Sequence, residues 1–368
     1  MGAFLRRYRW LHLWLGADLA LLGLFWLVRQ QRAWANALVD HVFGPLERAL
    51  GALWDRFPFS GMELLVGLAA AGALAAAVLF VLRLVGSRGS RRWQVLYRGA
   101  LALVCTAVGV YVGFCWLWGI YYYADSFQDR SGVRARAVSV QELAGVTDYF
   151  IDRLEETADA VPRDEAGVFS QNWETILASS ETVYDQVAQE FPFLDFPARQ
   201  PKAVYFSQLM SRMNFTGVYC PFTGEANVNV DSPACLLPST VAHELAHQRG
   251  VASEQECNFL AILASTTCGD PVYAYSGWLL GYIHLNNALY RADRALWQEA
   301  WSRLPETVRA DLAVNSAYWA PYQKQVTSQA AQQVYDSFLK SYGEEQGIQS
   351  YGTVVDLLVV WYGPLTGS

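Results

Sequence analysis

Val241-Ala242-His243-Glu244-Leu245-Ala246-His247-Gln248-Arg249-Gly250 is the stretch on which the reading of this chain turns. It has the form H-E-x-x-H. On a helix, residues four apart share one face, so His243 and His247 can offer imidazole nitrogens to two corners of a zinc tetrahedron. Glu244, between them, is then placed to take a proton from water. The chain holds only five histidines in 368 residues. Chance would give this pattern in only a few chains per thousand of such composition, roughly, so coincidence is a weak rival.

A catalytic zinc needs a third protein ligand and an open fourth position. Gly250 suits a left-handed helix end. Beyond it, Ser253-Glu254-Gln255-Glu256-Cys257-Asn258 opens a second apolar helix expected to run to about Ala264. Glu254 and Asn258 lie four apart on one face. Glu254 is therefore the expected third ligand, with Asn258 accepting a hydrogen bond from the outer nitrogen of a ligand histidine. Glu256 is the alternative ligand, although Ser253 with Glu256 also has capping-box spacing. Cys257 falls off the Glu254–Asn258 face and is not expected on the metal.

H-E-x-x-H followed by Glu254-x-x-x-Asn258 resembles the signature of the gluzincin metallopeptidases, including the membrane-bound CAAX-prenyl-protease and heat-shock-protease families. That resemblance implies a zinc peptidase with His243, His247 and Glu254 as ligands. The chain departs from the pattern in having Asn258 where Asp is usual and only six residues between His247 and Glu254. Most of the chain is also similar to a bacterial family of multi-pass membrane proteins with an H-E-L-A-H-Q-R-G core. Pro221–Asn229 and Ser350–Leu358 carry that likeness as well. It implies the architecture more than a substrate.

Upstream of the metal motif, Val218-Tyr219, a Pro221–Gly224 turn and Ala226–Val230 read as strand, turn, strand. Gly224-Glu225-Ala226-Asn227-Val228-Asn229 stands where an edge strand would pair with an extended substrate backbone. A purely structural hairpin fits the same residues.

Three apolar runs, at about 10–28, 64–82 and 99–121, are each long enough to cross a hydrocarbon core of ~30 Å. The last ends in Trp116, Trp118, Tyr121, Tyr122 and Tyr123, an interfacial aromatic belt. Asp18 is costly in lipid and should face another helix. Ala33–Leu53 reads as an amphipathic helix. Arg6, Arg7 and Arg9 precede the first run, and Arg83, Arg88, Arg91, Arg92 and Arg98 fill the loop between the second and third. The positive-inside rule places both groups in the cytoplasm and everything after about residue 122 outside. Residues 1–122 carry a net charge of +7 and the remainder −14. This asymmetry suits a basic anchor in the lipid bilayer bearing an acidic exported domain, and it argues against a nucleic-acid partner.

The expected fold is therefore α+β and mostly helical. A membrane anchor of three transmembrane helices (1–122) precedes a zincin-like extracytoplasmic domain with a small sheet (123–368). Helices are expected from a Ser139/Glu142 capping box to Ala158, then at Gln171–Gln189, Tyr275–Ala300, Glu306–Val314 and Gln325–Ser341. The apolar run Tyr351–Tyr362 is too short to span a membrane and should pack in the domain core. Cys105 and Cys115 lie in the third span. Cys220, Cys235, Cys257 and Cys268 fall in the exported domain, where three disulfide pairings or four free thiols are all open.

The expected function is zinc-dependent hydrolysis of peptide bonds in a protein or peptide substrate. Glu244 serves as general base and then passes its proton to the leaving amine. The donor for the tetrahedral oxyanion is open among His284, Tyr282, Tyr318, Tyr351 and Arg249. Two rivals are a non-catalytic membrane sensor or scaffold with structural zinc, and an intramembrane protease. The polar flanks Asp231-Ser232-Pro233 and Gln248-Arg249-Gly250 disfavour the second.

Overall fold

In a computed structural model the structure describes residues 6–323, 325–342 and 352–366. The chain forms two compact units. One comprises residues up to Trp54, Gly61–Ala124 and Pro221–Thr223; the other comprises Asp55–Ser60, Asp125–Cys220 and the chain from Gly224 onward.

The first unit is built on α1 (Arg9–Val28), α2 (Arg32–Leu38), α3 (Gly44–Trp54), α4 (Gly61–Val85) and α5 (Ser90–Leu117). Helices α1, α4 and α5 are each long and apolar enough to cross a membrane. Little of them is covered by protein, and none of the most apolar stretch of α4 is. A helix that is apolar all round and little covered by protein is consistent with membrane association. Asp18 of α1 is buried, and its Oδ2 lies where a Cβ on Gly109 of α5 would come within 3.3 Å. The costly carboxylate thus faces a neighbouring helix. The expected amphipathic helix forms as α2 and α3 joined by a π-helical turn, Val39–Phe43.

In the second unit α6 (Phe127–Ser131) and α7 (Val140–Ala158) both start in capping boxes, at Ser126/Asp129 and at Ser139/Glu142. The helix expected over 171–189 is instead broken into α8 (Trp173–Ala178), a 3-10 turn and α9 (Asp185–Glu190), after which Pro192 opens a short 3-10 turn, Pro192–Leu194. Next come β1 (Lys202–Ala203), α10 (Ser207–Arg212), β2 (Gly217–Cys220) and β3 (Glu225–Val228). The strand, turn and strand read from the sequence are β2 and β3. They pair antiparallel, with Val218 opposite Asn227, while β1 runs parallel to β3 at Lys202–Asn227.

Helices α11 (Leu237–Gln248) and α12 (Glu254–Thr267) follow, with Pro238 in the first turn of α11, where a missing N–H costs nothing. Then come α13 (Pro271–Ala292) and α14 (Arg294–Arg303). One helix was expected over 275–300, but it breaks at Asp293, whose carboxylate accepts from the backbone N–H groups of Ala295 and Leu296 and starts α14. The chain continues as α15 (Glu306–Gln323), α16 (Val326–Ser341) and α17 (Gly352–Tyr362). As expected, α17 is buried, packing on α7, α12 and α13.

Helix α11 packs against β2, β3, α12 and α13, so the metal motif lies inside the core. Phe150 of α7 is fully buried, with edge-on contacts to Trp278 (4.9 Å) and Tyr362 (5.0 Å). Removing such a ring costs about 3–5 kcal/mol. A polar knot ties α15 to the same core. Asp311 is fully buried, faces Arg163 at 3.1 Å, and accepts from the Phe169 N–H at 2.8 Å and from the Tyr275 hydroxyl. All six cysteines are free, so the structure contains none of the possible pairings.

Candidate metal centre

The reversal between α11 and α12 is tight. Gly250 adopts φ +84°, its N–H bonds the His247 carbonyl, and Ser253 precedes α12 in extended conformation. The two helices are thereby folded back so that His243, His247 and Glu254 meet. Their potential ligand atoms all lie within 4.8 Å of one another. His243 Nε2 is 3.1 Å from Glu254 Oε2, and His247 Nε2 is 3.4 Å from Glu254 Oε1. Donors about 2.05 Å from a tetrahedral zinc lie roughly 3.3 Å from each other, so these separations suit such an ion.

The outer nitrogens explain why both rings present Nε2. His243 Nδ1 lies 3.0 Å from Asn258 Oδ1, the partner expected from the four-residue spacing. His247 Nδ1 lies 2.8 Å from the Val251 carbonyl. Acceptors at Nδ1 hold the proton there and leave the Nε2 lone pair for a cation. Burial opposes charging of His247, yet Cys257 and Glu254 raise its pKa well above the ordinary histidine range. Burial likewise works against ionised Glu254, but the two histidines outweigh it and hold the carboxyl well below its usual range.

Glu256 is not part of this group. Its carboxylate is buried and accepts from the backbone N–H groups of Phe127 (2.9 Å) and Gln128 (3.1 Å) at the positive start of α6. That engagement keeps Glu256, the alternative ligand, with α6 instead of with the two histidines, and the capping box with Ser253 does not form, since the Ser253 side chain caps nothing. Cys257 also stays off the ligand group. Burial pushes its thiol up to about 12, and it donates to the Val251 carbonyl while lying 3.2 Å from His247 Nδ1.

Glu244 is buried, and its Oε2 meets no hydrogen-bond partner among the described residues. Burial pushes its pKa up to about 7. A Cβ on Gly217 would come within 2.4 Å of its Oε1, so the first residue of β2 gives the carboxylate its room. The expected substrate strand must move accordingly. Gly224–Asn229 contains β3, the middle strand of the order β1-β3-β2, paired with β2 over Glu225–Val228 and with β1 at Asn227 and Val228. The edge beside Glu244 is β2.

Of the expected oxyanion donors, Tyr282 bonds Asn286, and Tyr318 bonds Asp231 at 2.6 Å. Arg249 stacks over Tyr184 at 4.0 Å and donates to the Leu245 carbonyl. His284 is buried and held neutral, its pKa lowered to about 4 by burial and by His243. Tyr351 lies outside the described residues. The structure adds a residue with no motif around it: Tyr335 of α16 donates its hydroxyl to Glu254 Oε1. Eighty-one positions separate the two, and only tertiary folding brings them together.

The family described as "Protein of unknown function (DUF3810)" matches residues 39–359, and the chain belongs to it. No curated protein and no solved structure matches the chain.

Proposed function

We propose that the chain is a membrane-anchored zinc peptidase of gluzincin type, with its second unit outside the cytoplasmic membrane. One observation carries the reading. A buried carboxylate, Glu244, keeps an oxygen unpartnered within a helix turn of two histidines that meet a third ligand-type residue. A zinc site that only holds structure has no use for such a group, whereas a general base does.

His243, His247 and Glu254 would hold the ion, which supplies Lewis acidity and lowers the pKa of water. Glu244 takes a proton from the attacking water and returns it to the leaving amine nitrogen. β2, at the end of the strand order β1-β3-β2, would give an extended peptide a backbone to pair with beside Glu244. Arg6, Arg7 and Arg9 at the start of α1, and Arg83, Arg88, Arg91, Arg92 and Arg98 from the end of α4 into the first part of α5, support a cytoplasmic N-terminus, which after three crossings leaves the acidic remainder outside.

Elemental analysis of the purified full chain tests the site. About one zinc per chain is expected, lost in His247→Ala and Glu254→Gln and kept in Glu256→Gln. Absence of zinc from the wild type after reconstitution would sink the proposal. Tyr335→Phe removes the hydroxyl on Glu254 and is expected to weaken zinc retention about tenfold against a competing chelator. Unchanged retention would show that Tyr335 does not position the ligand.

A further inference from the structure

A cavity of about 580 Å³ opens between the segment leading into β2 and the C-terminal half of α15. It lies within the size range of ligand pockets and exceeds what one side chain needs. Asn214, Thr216, Asn315, Ser316, Trp319 and Gln323 line it, and none of its lining residues is charged. Three amides and two hydroxyls can each donate and accept, which suits a neutral ligand bearing several hydroxyl or amide groups. The indole adds a flat face for stacking against C–H groups.

The walls are fixed relative to each other. Tyr318, next to Trp319 on α15, bonds Ser211 at 2.6 Å, and Asn229 bonds both Ser211 and the Phe215 carbonyl. The cavity adjoins the segment that leads into β2, whose first residue, Gly217, lies against Glu244. Asn214 and Thr216, in the turn and bend that lead into β2, line the cavity, Phe215 contacts the Tyr335 ring, and Gly217 makes room for Glu244. A chain seated beside Glu244 and continued past Gly217 toward Thr216 and Asn214 would run to the cavity.

We infer that this cavity binds a neutral sugar ring, so that the substrate of the proposed peptidase is a peptide joined to carbohydrate. The inference rests on the peptidase reading for its biological use, but its test does not. Calorimetric titration of the full chain in detergent with the β-1,4-linked tetramer of N-acetylglucosamine should show binding. Trp319→Ala and the surface change Gln323→Ala should each weaken it about tenfold, with zinc content unchanged. Glu244→Gln should bind the tetramer like wild type, which separates this result from success or failure of hydrolysis. No binding by the wild type, or undiminished binding in both variants, overturns the inference. So does binding of a capped, sugar-free tetrapeptide alone with the same dependence on Trp319 and Gln323, which would assign the cavity to peptide side chains.

Discussion

Glu244→Gln is expected to lower peptide hydrolysis by about 100- to 10,000-fold while the protein keeps its zinc. Glutamine preserves the shape that fits against Gly217, so helix, strand and ligand cluster stay in place. It cannot shuttle a proton between water and the leaving amine, so the loss should fall on kcat with KM little changed. Turnover on a peptide library, read beside metal content, separates this from a folding defect. Full turnover with zinc bound would remove Glu244 from the reaction and with it the main support for an enzyme.

The second large effect concerns stability. Asp311→Ala should cost about 3–5 kcal/mol, because Arg163 would keep its charge in a mostly buried site without a counter-ion. The Phe169 N–H and the Tyr275 hydroxyl would lose their acceptor at the same time. In a unit of this size that corresponds to a fall in Tm of roughly 10 °C, measurable by thermal unfolding in detergent. A change below about 1 kcal/mol would mean that water or a rearranged side chain satisfies Arg163 as well as Asp311 does.

The parts legible in the sequence were those governed by short-range spacing. The histidine pair, its glycine stop, Glu254 and Asn258 follow from short-range spacing on two helices, and the structure brings all of them together. The three apolar runs were legible because lipid demands length and composition rather than particular partners. Contacts set by distant chain segments were not legible. Glu256 carried a sound local capping signal, but the N–H groups of Phe127 and Gln128 engaged it instead. The hairpin was read, yet strand order was not, because the pairing of β1 with β3 depends on a two-residue strand without a distinctive pattern. Tyr335 had no signal at all, since a tyrosine on an amphipathic helix looks the same whether it meets solvent or a ligand carboxylate.

The tight reversal at Gly250 has a bearing on what metal loss would do to the protein. The entropy removed by tying two points of a chain grows only with the logarithm of the loop enclosed. His247 and Glu254 enclose six residues, and that loop is already closed by the bond from Gly250 to the His247 carbonyl and by the packing of α11 on α12. An ion seated there joins neighbours that would stay together without it. Chelation should therefore leave far-ultraviolet circular dichroism unchanged, and the emptied centre should refill on adding zinc without any refolding step.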